Sequence, residues 1–353
     1  MRIVIFGLTV SSAWGNGHAT LWRSLINALA ASEHEVTFFE KDVTYYRSHR
    51  DLSQLPHPCK LRLYPTWDEV RSEARRAADD ADCAIVTSYC PDGRAACTTV
   101  LESRALVRVF YDLDTPITLK HLDAGEDVPY LPIGGLCAFD LVLSFTGGRA
   151  LDRLRTQLGA RKVAPLYGSV DPTTHRPVAP DARWAAACSY LGTWSADRQR
   201  ALDMLFVEPA RRHPEKLFVV GGSLYPEQLE WPPNVSHHEH VPPPAHPAFY
   251  CSSPLTISVT RGAMAELGYC PSGRLFEAAA CGVPVLSDWF EGLDTFFTPG
   301  EEILIGHTTG DALAALRRTD LAQLGAHARA RALAHHSGTQ RAAELVSLIG
   351  GAA

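Results

Sequence analysis

Lysine is scarce in this chain: only five of its 33 basic residues are lysine, and the basic residues are outnumbered by 39 acidic ones. The formal net charge is −6. No continuous positive field is available to hold a polyanion, so nucleic acid is not an expected partner. Cys-x-x-Cys pairs are missing from the nine cysteines, and several cysteines sit in apolar segments such as Cys83-Ala84-Ile85-Val86. An odd count without paired spacing argues against a disulfide framework and for reduced thiols in a cytoplasmic protein. Long apolar runs are missing too. The opening run, 3–8, is too short for a signal core, and none reaches the roughly 18 residues that cross a bilayer. Solenoid repeats and low-complexity tracts do not occur, which removes those architectures.

What remains is a globular composition. At 353 residues and 46% hydrophobic, the chain has length for two cores at about 150 residues each. Residues 2–7 are a short β-branched run. From 18 to 31, Leu21, Leu25, Ile26 and Leu29 repeat at helical spacing, and 35–39 reads as a second strand. Further strands are expected at 83–87, 106–111, 140–145 and 163–166, with helices at 67–80 and 149–158. This alternation predicts a parallel, doubly wound sheet. Asp171-Pro172, Pro177 and Pro180 then break the pattern, and the domain boundary is placed there. Beyond it the alternation restarts: strands at 189–191, 217–220, 255–259, 283–287 and 303–305, with helices at 197–212 and 272–281. The expected domains are 1–172 and 173–335, with a last helix at 336–353 that returns to the first domain. Two Rossmann-like domains facing a cleft is the architecture implied.

Three stretches can carry chemistry. Trp14-Gly15-Asn16-Gly17-His18 closes the first strand and opens the first helix, where glycines allow close backbone approach and the helix end favours an anion. The dinucleotide fingerprint Gly-x-Gly-x-x-Gly is not met, so a redox cofactor is disfavoured. His18, an imidazole at the helix start, suits a general base as well as a helix-end hydrogen bond. Ser272 and Gly273 begin a second candidate helix whose exposed N–H groups suit a diphosphate. Glu277 lies about one turn on, where a carboxylate can accept two ribose hydroxyls. The plainer alternative is a helix-face ion pair between Arg274 and Glu277. Asp112-Leu113-Asp114 follows a strand and mimics an Asp-x-Asp metal motif, although Asp114-Thr115-Pro116 also suits a loop cap. His237-His238-Glu239-His240 lacks further ligands at a marked spacing, so no metal site is expected there.

The stretch from Pro271 to Val285 resembles the nucleotide-binding helix of GT-B glycosyltransferases. Gly168-Ser169-Val170-Asp171-Pro172 with Pro177 is similar to the linker motif of that class. The wider pattern resembles the CgeB-like (spore-maturation-type) branch, through Ser12 to His18, Tyr111 to Pro116, Ser144 to Gly148, Leu191 to Arg198 and Ser287-Asp288. The resemblance implies a nucleotide-sugar donor, with UDP the expected carrier. Glu277 would take the ribose, and Gly17, Gly192, Thr193, Arg198, Ser272, Gly273 and Arg274 would line the rest of the donor, chiefly its phosphates. His18, Asp112 and Asp114 are the candidate catalytic residues. No metal or other cofactor is implied, and the acceptor is a small molecule or one presented on a carrier. Many retaining members carry a second glutamate eight positions earlier. Here that position is Tyr269, so the resemblance favours the inverting members, with His18 as base. A non-catalytic nucleotide-sugar binder, a nucleotide-sugar epimerase and a metal-dependent GT-A enzyme using Asp112 and Asp114 are the alternatives.

Overall fold

The opening apolar run forms β1 (Arg2–Gly7), in which every residue after Arg2 is at least largely buried. A computed structural model describes residues 1–353 and divides them into two units, 1–169 with 338–353, and 170–337. The first unit holds β1, β2 (Glu35–Lys41), β3 (Lys60–Tyr64), β4 (Cys83–Thr87), β5 (Val107–Asp112), β6 (Leu141–Ser144) and β7 (Val163–Pro165). These form one all-parallel sheet in the order β3-β2-β1-β4-β5-β6-β7. Its central strands are mostly apolar because helices cover both faces. On one face Phe6, Phe39 and Trp67 pack together, with Phe6 and Phe39 stacked at 5.0 Å. On the other, Trp22 and Leu25 of the helix His18–Ala31 meet Phe38 and Tyr111. The last helix, Gly338–Gly350, joins this second face through Ala342, Leu345 and Ile349. Gly338 lies so close to the helix His18–Ala31 that a Cβ there would stand 2.6 Å from the Ser24 carbonyl oxygen.

The edge strand β3 is absent from the sequence-based reading. Its Lys-Leu-Arg-Leu-Tyr alternation suits a half-exposed edge, and it carries no continuous apolar run.

The second unit holds β8 (Cys188–Leu191), β9 (Phe218–Gly221), β10 (Val235–His238), β11 (Thr256–Ser258), β12 (Val285–Ser287) and β13 (Leu304–Ile305). They form a second parallel sheet, ordered β10-β9-β8-β11-β12-β13. The helix expected over 197–212 is present, and its middle turn, Asp203–Val207, is of π type. Strand ends differ from the sequence-based expectations by a residue or two. The expected strand 283–287 starts at Val285, because Gly282 adopts φ +74 and Pro284 cannot donate to the ladder. No helix is long and apolar enough to cross a membrane.

Candidate functional site

In the second sheet the strand order reverses between β8 and β11. Open parallel sheets bind ligands beyond the carboxyl ends of strands at such a point. Three arginines converge there. Arg198 opens the helix Ala196–Leu202 after β8, Arg261 follows β11, and Arg274 is the second residue of the helix Gly273–Ala280. Arg198 donates to the Thr193 carbonyl at 3.0 Å, and Arg274 stands 3.1 Å from where a Cβ on Gly192 would lie. Burial, with the like charges of Arg274 and Arg261, brings the Arg198 guanidinium down to about 10. One nitrogen of each guanidinium (Nε of Arg198, Nε of Arg261, Nη1 of Arg274) is buried without a hydrogen-bond partner. Asp197 lies 3.7 Å from Arg261 and accepts from the Gly262 N–H. Three guanidiniums outnumber the carboxylates of Asp197 and Glu277, which leaves a site whose electrostatics call for an anion.

The backbone is shaped for close approach. Gly222 adopts φ +147, and a Cβ on it would stand 2.0 Å from the Gly192 carbonyl oxygen, so no other residue fits. Tyr225 donates its hydroxyl to that same oxygen at 2.8 Å. Ser272 caps the helix Gly273–Ala280 without a side-chain hydrogen bond, which leaves first-turn N–H groups available to a ligand. Asp288, accepting from the N–H and hydroxyl of Thr260, holds the loop that carries Arg261.

Glu277, on the same helix, does not pair with Arg274 in the manner of the plain alternative. Its Oε2 accepts from the Tyr250 hydroxyl at 3.2 Å and lies 3.9 Å from Nδ1 of His246. Burial works to raise its carboxyl, but His175, His246, Arg274 and the Tyr250 bond outweigh this and hold it below the usual range. Of the sequence-predicted donor residues, Gly192, Thr193, Arg198, Ser272, Gly273, Arg274 and Glu277 all lie in this unit. Gly17 lies in the first, at the start of the helix His18–Ala31. Sequence reasoning missed Arg261. Its one signal was an arginine between a strand end and a helix start, the same setting as Arg198.

The first sheet reverses order between β1 and β4, and His18 lies just beyond the end of β1. Its Nε2 meets Oδ2 of Asp114, beyond β5, at 2.7 Å, and the Tyr89 ring beyond β4 packs edge-on at 5.9 Å. Nδ1 of His18 is buried without a partner. Sequence reasoning gave His18 and Asp114 separate roles; the fold joins them. A carboxylate accepting the Nε2 proton fixes the tautomer and leaves Nδ1 as a lone pair.

Glu40, at the end of β2, was not singled out. It is fully buried and accepts from Thr9 Oγ1, Val10 N, Ser11 N and Ser11 Oγ at 2.5–3.0 Å. Where dinucleotide-binding folds place a ribose-binding carboxylate, this chain spends one on its own loop.

Asp112 and Asp114 are held by different partners, Thr118 and His18. Asp112 is fully buried, and its Oδ1 accepts from Thr118 Oγ1 and the Asp114 N–H, both at 3.1 Å. The second parallel sheet corrects the GT-A alternative. Burial, opposed by the Thr118 hydrogen bond and aided by the Asp114 charge, raises the Asp112 carboxyl to about 7. The folded chain therefore holds this proton more tightly than the unfolded chain. The resulting stabilisation is complete below the unfolded value of 3.8 and is lost as pH rises through about 7. Urea unfolding should show the wild type losing a few kcal/mol relative to Asp112→Asn over that window, at about 1.4 kcal/mol per pKa unit. Parallel pH profiles for the two proteins would contradict this.

Residues 198–347 match the family described as glycosyl transferase-like. No curated protein matches the sequence. Among solved structures, a sucrose-phosphate synthase from Thermosynechococcus elongatus aligns at TM-score 0.69 and 15% identity, covering 99% of this chain and 98% of that one. Anabaena HepE in complex with UDP and glucose aligns at TM-score 0.65 and 13% identity, over 99% and 100% of the two chains. An alpha-glucosyltransferase in complex with UDP and a 13-mer DNA aligns at TM-score 0.68 and 13% identity, over 99% of each. The architecture is the GT-B fold. With the family match over residues 198–347, it marks the chain as a glycosyltransferase.

Proposed function

We propose that this enzyme transfers a sugar from a UDP-linked donor to a hydroxyl or amine on a small-molecule or carrier-bound acceptor. The observation that carries this reading is the convergence of Arg198, Arg261 and Arg274 beside an unblocked helix start, with a buried carboxylate one turn further along. Charge-assisted bonds from these arginines strengthen as the glycosidic oxygen leaves and negative charge builds on the diphosphate. They supply the stabilisation that a divalent ion gives elsewhere, so chemistry proceeds without metal. Glu277 takes the two ribose hydroxyls, and the first-turn N–H groups at Gly273 and Arg274 take phosphate oxygens. His18, held by Asp114, removes the acceptor proton, and the acceptor displaces UDP in one inverting step. Asp112 holds the Asp114 backbone and so serves the dyad as a positioning residue. Gly17 keeps the loop beside His18 free of side chain.

The Ser12 to His18 and Leu191 to Arg198 patterns favour the CgeB-like branch. Nine free cysteines favour the cytoplasm, where thiols stay reduced. The test is UDP titration calorimetry. Glu277→Gln should bind UDP roughly 10-fold to 100-fold more weakly, because a neutral amide cannot accept both hydroxyls and a charge-assisted bond is worth about 1.5–3 kcal/mol. Affinity equal to wild type would remove the ribose assignment.

A further inference from the structure

Two histidines, His175 buried and His246 partly so, stand beside Glu277, and the transfer reaction proposed above uses neither. His175 sits in the turn after Asp171, whose carbonyl accepts the His175 N–H at 2.8 Å. That turn directs the imidazole inward, where it is 4% exposed, and neither ring nitrogen has a hydrogen-bond partner. His246 contacts the Val241 carbonyl through Nε2 at 3.0 Å. A carbonyl can only accept, so Nε2 carries a proton, and Nδ1 faces Glu277 Oε2 at 3.9 Å, too far for a direct hydrogen bond. Nδ1 is buried without a hydrogen-bond partner, which leaves an unsatisfied ligand atom beside a carboxylate.

The geometry points to a transition-metal site, of zinc type, formed by His175, His246 and Glu277. Ligand atoms of all three lie within 4.8 Å of one another. A tetrahedral zinc ion, with bonds of about 2.0–2.1 Å, sets its donors roughly 3.3 Å apart, so modest side-chain rotation completes the site. His175 has no hydrogen bond to give up in that rotation. His246 already has the arrangement usual for a metal-binding histidine, with its second nitrogen donating to a backbone carbonyl. Two imidazoles and one carboxylate favour zinc or cobalt over magnesium, which prefers six oxygens. The fourth position is left for water.

The consequence rests on the assignment of Glu277 to the ribose. Metal and nucleotide claim the same carboxylate, so the site is inhibitory: zinc and UDP exclude each other, and a chelator raises activity or leaves it unchanged. Cobalt alone is the probe, titrated into the metal-free full-length protein and followed by its visible absorption. The expected result is the spectrum of tetrahedral cobalt with nitrogen and oxygen ligands, bound about 100-fold more weakly in His175→Gln and in His246→Gln. Loss of an outer-shell partner alone already costs about 10–100-fold. A thiolate charge-transfer band, or affinities unchanged in both variants, would overturn the proposal, and the wild-type spectrum decides even if the variants fold poorly. Added UDP should displace the cobalt. Cobalt held by the cluster but indifferent to bound UDP would leave the metal site standing and remove Glu277 from the ribose. Glu277-dependent UDP binding with no cobalt at the cluster would do the reverse.

Discussion

Arg274→Ala is expected to lower turnover by roughly 10²–10³ while raising the melting temperature of the ligand-free protein. Both effects come from one arrangement. Arg274, Arg198 and Arg261 are gathered where burial and mutual repulsion already depress Arg198, so removing one guanidinium relieves strain in the empty site. The same removal takes away a donor aimed at charge that grows only as the diphosphate departs, and losses of that kind fall on the chemical step at about 2.7–4 kcal/mol. Arg198→Ala should behave alike. Arg274→Lys should recover little, because a point charge cannot reproduce a planar fork. Thermal melting beside steady-state kinetics checks the pair of effects. A variant that loses stability and keeps its turnover would show that the cluster is structural.

His18→Ala is expected to depress turnover by about 10²–10⁴, the range for a lost general base, with UDP affinity nearly unchanged. His18 lies in the unit that does not contain the arginine cluster, so its loss falls on the acceptor proton and leaves the donor intact. Asp114→Asn should also be impaired. An amide can donate to Nε2, which would favour the tautomer that protonates Nδ1 and remove the base. Rapid-quench measurement of UDP release, beside equilibrium UDP binding, separates the two terms. Equal losses in affinity and rate in His18→Ala would mean that the histidine binds donor and does not serve as base.

Much of this was legible in the chain before any coordinates. Short apolar runs set between helical stretches place most strands of both parallel sheets, because strands buried on both faces need no polar alternation. Arg198, Arg274 and Glu277 were visible because each follows a strand end or opens a helix. What stayed hidden depends on contacts distant in sequence. Glu40 looks like the end of an ordinary strand until the loop at 9–11 folds back onto it. His175 and His246 are 71 positions apart, and nothing local marks either as a neighbour of Glu277. His18 and Asp114 were each suspected, but their pairing follows only from the strand order that brings the ends of β1 and β5 to one side of the sheet.

The helix Gly338–Gly350 has a consequence for biogenesis. It seals the face formed by Trp22, Leu25 and Tyr111, yet it follows the whole second unit in the chain. The amino-terminal unit therefore keeps this apolar seam uncovered while the carboxyl-terminal unit is synthesised. That interval, at about 5–20 residues per second, is when the nascent chain most needs a chaperone.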